Sequence, residues 1–239
     1  MTELLALAAV AVLVFVLAAL TQAVTGFGAT LAAIPGLLLV TDPGRAVVGA
    51  TTVSLILAAG IAYRERAHVD RRDSVLLTVT GIVGMPLGLV LISVADERLL
   101  TVVIAVVMLV VIAAMAVGLR VGRGGVPVVG VISGVLLTAT GMNGAVLVMA
   151  LVDREPRRYR ATLQSVFVGQ NLIAVAAFVA LGHVDLEVLV LVLGGVAGLP
   201  LGWRLGDALF HRVPAGRLRP LVIVTLFVAA AAVLVDAVV

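Results

Sequence analysis

The sequence predicts an all-α polytopic membrane protein: two inverted repeats of about five transmembrane or half-membrane helices each, with glycine-broken hairpins at the centre. Three observations predict it. The first is composition: of 239 residues, 63% are hydrophobic and 12% charged, and the mean hydropathy is +1.29. Apolar runs of about 18 residues or more read as membrane spans. The second is a pair of glycine breaks inside apolar runs. Thr25-Gly26-Phe27-Gly28-Ala29-Thr30 has a near copy, Thr140-Gly141-Met142-Asn143-Gly144-Ala145, 115 residues later. The third is the uneven distribution of arginine between alternate loops.

Taken in order, residues 4–20 form a first span of about 26 Å at ~1.5 Å per residue, close to a ~30 Å hydrocarbon core. A signal peptide opens on a positive segment, whereas Met1-Thr2-Glu3 is acidic, so this span is expected to be retained. After the first glycine break, residues 31–40 give a short helix that ends at Thr41-Asp42-Pro43-Gly44, a strong stop signal. Residues 45–62 follow, then a charged loop, 63–73. Residues 74–94 span again and carry Gly84-Met85-Pro86-Leu87-Gly88, and residues 99–117 form an uninterrupted apolar helix. The connector 119–125 is rich in glycine and arginine. The pattern then restarts with 126–137, the second glycine break, a short helix over 145–152, a basic loop over 153–160 and a span over 161–181. Residues 186–205 contain Gly198-Leu199-Pro200-Leu201-Gly202. A basic loop, 207–219, leads to a last span over 221–235.

The repeat rests on three anchors in the same order. Thr25-Gly26 pairs with Thr140-Gly141 and Arg45-Ala46 with Arg160-Ala161, both at an offset of 115; the Gly-x-Pro-x-Gly segments at 84–88 and 198–202 pair at 114. The expected organisation is a first repeat over 1–118, a cytoplasmic connector over 119–125 and a second repeat over 126–239. All 16 basic residues are arginine. If each half makes an odd net number of crossings, only Arg45 and Arg98 lie on one side, 2 against 14; eight continuous spans would give 6 against 10. Cytoplasmic loops are enriched in Arg and Lys, so the first topology is preferred. The repeats are then inverted, and both termini are non-cytoplasmic.

Several functions are disfavoured. The arginines are dispersed, with no basic face interleaved with aromatics, so no nucleic acid partner is expected. There is no cysteine, which removes disulfides and thiolate chemistry. His68, His183 and His211 fall in separate loops, so no metal site, cofactor or catalytic triad is expected, and the chain is read as a non-enzyme. No ionisable residue falls mid-span, so no intramembrane proton relay is visible.

Broken helices at matching places in two halves point to a transporter's binding site, and a break at membrane depth survives only where it is buried in protein or lines a wet cavity. Helices starting after the two turns, at Ala29 and Ala145, would direct free N–H groups and positive dipole ends at the turns. Such ends bind oxyanions without formal charge. The candidate substrate-binding residues are Gln22, Thr25, Gly26, Gly28, Thr30, Thr52, Thr140, Gly141, Asn143, Gly144, Gln164 and Ser165. Thr51, Ser54, Thr138, Gln170 and Asn171 are further polar groups in the apolar segments. Pro86 and Pro200 are read as hinges, with static kinks that allow close packing as the alternative. Tyr63, Tyr159 and Trp203 lie near span ends and read as interfacial anchors.

The arrangement of Gly26, Gly28 and Pro35, Gly-x-Gly-(x)6-Pro, resembles the first-repeat motif of the TauE/SafE sulfite exporter family, also called the toluene-sulfonate uptake permeases. Gly141, Asn143 and Gly144 resemble its second copy, and Pro86 and Pro200 fall where such proteins carry repeated glycine-proline segments. The second copy departs in having Asn143 where the family often has glycine, and in lacking a counterpart of Pro35. The resemblance implies a secondary transporter, an exporter, of sulfite, organosulfonates or related small sulfur oxyanions in the cytoplasmic membrane of a prokaryote. The expected partners are a small sulfur-containing anion, the lipid bilayer and a second copy in a homodimer. The rival readings are a passive anion channel and a non-transporting membrane subunit on the same scaffold.

Overall fold

A computed structural model of the chain describes residues 2–212. The expected last span, 221–235, and most of the basic loop before it lie outside the described residues. Those described form nine α-helices and no strand: α1 (Thr2–Thr25), α2 (Ala29–Leu37), α3 (Pro43–Glu65), α4 (Arg71–Val94), α5 (Glu97–Ala116), α6 (Val126–Thr140), α7 (Gly144–Leu151), α8 (Pro156–Ala180) and α9 (Leu186–Arg212). Six of them, α1, α3, α4, α5, α8 and α9, are long and apolar enough to cross a membrane. The all-helical membrane fold read from the sequence is the fold observed.

Helix starts follow local chemistry. Asp42 caps α3, accepting from the Arg45 N–H at 2.9 Å, with Pro43 in the first helical position where its missing N–H costs nothing. Asp70 caps α4 by accepting from the N–H groups of Arg72 and Asp73. Pro156 opens α8, so that helix begins five residues before its expected start at 161, and Arg157, Arg158 and Arg160 of the expected loop sit at its start. Around them, Arg154 pairs with Asp73, Arg158 with Asp70 and Arg160 with Glu65.

The helices pack in cross-half pairs. The principal contact of α1 is with α9, that of α6 is with α4, and α3 packs on α8. Each half's first helix therefore lies on the other half's fourth. Glycines make these approaches close. A Cβ on Gly194, Gly198, Gly202 or Gly206 would fall within 3 Å of the α1 backbone or of Ala23, at positions advancing from Ala8 to Ala23. So α1 and α9 run parallel. Gly130 faces Leu77 and Thr80, Gly134 faces Gly81, and Gly88 faces Val135 and Thr138, so α4 and α6 are parallel too. The glycines flanking Pro86 and Pro200 are thus packing positions: a Cβ on Gly84 would lie 2.0 Å from the Val131 carbonyl oxygen, and one on Gly202 would lie 2.2 Å from that of Val16. Both prolines lie inside continuous helices.

The short segments fold back. At ~1.5 Å per residue, the 24 residues of α1 reach about 36 Å and the nine of α2 about 14 Å. They form an antiparallel hairpin, with Gly28 beside Thr21 and Gly36 beside Val14. Val40, after α2, shares a recess with Glu3, Leu4 and Leu7, so this hairpin returns to the end it started from. At the opposite end the Val121 N–H donates to the Met149 carbonyl, bringing the exit of α7 beside the connector that precedes α6. The loops around 63–73, 117–125 and 153–160 gather at this second end, joined by the pairs above and by Arg120–Asp153. Arg45 is at the first end, where it meets Asp42, Asp185 and Glu187.

Candidate functional site

The two glycine turns lie next to each other in the protein interior. Gly26, Phe27, Gly28 and Ala29 are buried, as are residues 140–145. Gly26, Gly28 and Gly141 have φ of 83°, 89° and 72°, the left-handed region that glycine enters without a Cβ penalty. Gly28 stands at the start of α2 and Gly141 at the end of α6. The Phe27 ring reaches the second turn, where a Cβ on Gly144 would meet its Cδ2 at 3.5 Å and Phe167 Cζ at 3.2 Å. Gly144 itself has negative φ and is small for packing.

One helix, α8, holds both turns through two buried glutamines. The Gln164 amide nitrogen donates to the Gly26 carbonyl at 2.7 Å, and its oxygen accepts from the Gln22 amide at 3.1 Å. The Gln170 oxygen accepts from the Asn143 amide at 2.8 Å, while its nitrogen donates to the Leu77 carbonyl and to Ser133 Oγ. Asn143 begins α7 without a side-chain cap, because its amide is engaged by Gln170. Buried amides in a membrane interior are stable only when so paired.

The hydroxyls divide differently from expectation. Thr25 Oγ donates to the Phe27 carbonyl at 2.6 Å and accepts from the Phe27 N–H, closing the first turn. Thr140 back-bonds to the Leu136 carbonyl and Thr52 to that of Val48. Ser165 pairs with Ser74 between α8 and α4, away from the turns. Thr30 is half-buried in the first turn of α2. Of the twelve expected residues, then, the turns bring together Gln22, Thr25, Gly26, Gly28, Thr140, Gly141, Asn143, Gly144 and Gln164. Thr52 and Ser165 have local packing partners instead.

Two groups outside the expected site stand beside the turns. Thr51, fully buried on α3, has no hydrogen-bond partner for its hydroxyl, and a Cβ on Gly141 would lie 3.7 Å from that oxygen. At the first turn, a Cβ on Gly26 would lie 3.8 Å from the Tyr159 ring and 3.9 Å from Arg160 Cγ. The expected cage carried no formal charge, yet the Arg160 side chain runs beside it, its guanidinium 5.4 Å from the centre of the Trp203 ring. Tyr159 and Trp203 are therefore part of this packing rather than interfacial anchors alone, whereas Tyr63 is exposed beneath Arg66. Helical periodicity could have separated Thr51 from Thr52, since one residue is about a 100° turn on the helix surface. Nothing in the sequence placed Arg160 against a turn 134 residues earlier.

Among the described residues no group of three His, Cys, Asp or Glu side chains is arranged to hold a metal ion. No curated protein and no solved structure matches the chain. The sequence profile described as sulfite exporter TauE/SafE matches residues 11–233. With that match over nearly the whole length, the spanning helices and the paired glycine turns, the chain belongs to the sulfite exporter TauE/SafE family of membrane transporters.

Proposed function

We propose that this protein is a secondary transporter that exports sulfite, organosulfonates or related small sulfur oxyanions by alternating access, with the two glycine turns as its substrate site. The observation that carries the reading is that two buried positive-φ turns, one from each half, meet on a single helix through Gln164 and Gln170. The N–H groups of Gly26, Phe27, Gly141 and Met142 are taken up inside the turns, and the first N–H groups of α2 and α7 supply the donors suited to an oxyanion. A site built mostly of neutral donors holds an anion without trapping it. Both turns are buried here, so loading and release require the halves to move, and Pro86 and Pro200 are the proposed hinges. The opposite entry ends of α1 and α6 support an inverted repeat. With the arginine-rich end in the cytoplasm, α1 starts outside, in the cytoplasmic membrane of a prokaryote.

The test is counterflow in proteoliposomes preloaded in turn with sulfite, sulfate, thiosulfate, taurine, sulfoacetate and chloride. Accumulation driven by a sulfur anion and not by chloride is expected. Equilibration without trans-stimulation would replace the carrier with a passive channel, and absence of flux would favour a non-transporting subunit. Gly26→Val and Gly141→Val force a β-branched residue into a left-handed conformation, at about 1–2 kcal/mol before any side-chain clash. Both should abolish counterflow while inserting normally; wild-type flux in either would remove that turn from the mechanism.

A further inference from the structure

Four buried side-chain polar atoms among the described residues lack a hydrogen-bond partner: Thr41 Oγ1, Thr51 Oγ1, Arg160 Nε and Asn171 Oδ1. Two of the four are donors beside the glycine turns, one at each. Leaving a buried donor unmet is costly, and native structures hold few such groups. The same positions have room. Most interior glycines on α4, α6 and α9 would clash with a neighbour at 3 Å or less if given a Cβ, whereas the nearest atoms to such a group on Gly26 and Gly141 are at 3.8 and 3.5 Å. Each turn thus has room for a methyl group: the unmatched Thr51 hydroxyl lines the second, and the Cγ of Arg160, whose Nε is the unmatched donor, lines the first.

Arg160 also has a counter-charge. Glu65 Oε1 lies 3.1 Å from Arg160 Nε, close enough for an ion pair, but the N–H is not aimed at it. The carboxylate neutralises the guanidinium without satisfying that donor. An entering oxyanion could accept the N–H in line and would compete with Glu65 for the same cation. Thr51, by contrast, has no partner on its hydroxyl, and an acceptor brought into the turn would meet it.

We propose that Arg160 and Thr51 are the two substrate contacts of this transporter: Arg160 takes the oxyanion at the first turn and Thr51 receives it at the second. This rests on the transport reading above and deepens it. Glu65 then has a defined part. It occupies Arg160 when no anion is bound and yields when one arrives, which loosens the end of α3 from the start of α8. The oxyanion's several acceptor oxygens can meet more than one donor at once, whereas a halide is a single acceptor atom without the fork of oxygens that matches a guanidinium.

The chain's only tryptophan, Trp203, stacks on Arg160, so its fluorescence reports the first station directly and independently of flux. Purified wild-type protein titrated with sulfite in gluconate buffer should give a saturable emission change that chloride does not reproduce. Arg160→Gln should abolish the change, and Glu65→Gln, which removes the competitor, should shift the midpoint to at least about threefold lower sulfite. An unchanged titration in Arg160→Gln, or a weaker one in Glu65→Gln, would overturn the assignment. For the second station, Thr51→Val should raise the half-saturating sulfite concentration for counterflow at least about tenfold, while Thr51→Ser restores it and Thr52→Val leaves it unchanged. A wild-type value in Thr51→Val would overturn that station. Flux without any fluorescence response sinks this inference alone; a response without flux supports the first station and sinks the transport reading; neither signal sinks both.

Discussion

At the residue scale the glycines separate by what they make possible. Gly26, Gly28 and Gly141 are required for backbone conformation, having positive φ and room for a Cβ at ordinary contact distance. Gly84, Gly88, Gly134, Gly198 and Gly202 are helical and are required because a neighbouring helix backbone occupies the place of a Cβ. The two classes respond differently to alanine. Gly141→Ala should cost about 1–2 kcal/mol from left-handed strain, with little repacking. Gly84→Ala must push α6 away from α4, so it should lower the melting temperature in detergent clearly more than Gly141→Ala; the reverse order would contradict the packing assignment. Asp185 allows a second test. Burial opposes its charge, but the Val188 N–H and the Arg45 guanidinium outweigh that and hold its carboxyl below the usual 3.8. A depressed carboxylate contributes stability that is present above its unfolded value and is lost as pH falls through the folded one. The melting difference between wild type and Asp185→Asn should therefore persist from neutral pH down to about pH 5 and fade only below 3.8. A difference that vanished near pH 6 would mean the carboxylate is not held down.

At the element scale α8 is the organising helix. Its glutamines six residues apart reach in different directions, one to each turn, while its first turn carries the arginines that pair with Glu65 and Asp70. Gln170 is the more exposed to loss, because three groups depend on it: Asn143, Ser133 and the Leu77 carbonyl, with Ser133 bonding both amide atoms. Gln170→Leu strands buried polar groups at about 1–3 kcal/mol each. It should lower the melting temperature and abolish counterflow, whereas Ser165→Ala should cost under about 1.5 kcal/mol and keep transport. Full transport in Gln170→Leu would show that the second turn needs no tether.

At the scale of the whole molecule the halves exchange partners. The α1–α9 and α4–α6 pairings cannot form within either half, so neither half can complete its packing alone. Charge is polarised along the bundle. Loops 63–73 and 153–160 hold eight arginines of the arginine-rich end between them by sequence: Arg64, Arg66, Arg71 and Arg72, then Arg154, Arg157, Arg158 and Arg160, with Asp70 and Glu65 among their counter-ions. The absence of cysteine makes sidedness simple to measure. A single cysteine replacing His68 should resist a membrane-impermeant thiol reagent applied to intact cells, and one replacing Arg98 should react. The opposite result would turn the protein over in the membrane and with it the direction of export.

The sequence by itself determined the membrane class, the helical content, the places of the two breaks and the 115-residue repeat, because these depend on hydrophobicity, glycine's freedom and spacing along the chain. It also singled out most residues of the turns. The boundaries slipped where a proline start signal outweighed charge: Pro156 starts α8 within a loop expected from its arginines alone. Tertiary structure decided which polar groups are left for a ligand. Thr25, Thr52 and Thr140 look like donors in the sequence but are turned to their own backbone, while Thr51, one residue from an expected contact, is not. Hydrogen-bond satisfaction is a property of contacts across the fold, and so is the meeting of Arg160 with Gly26. No spacing rule along a chain encodes those contacts; the packing of α8 between the two hairpins does.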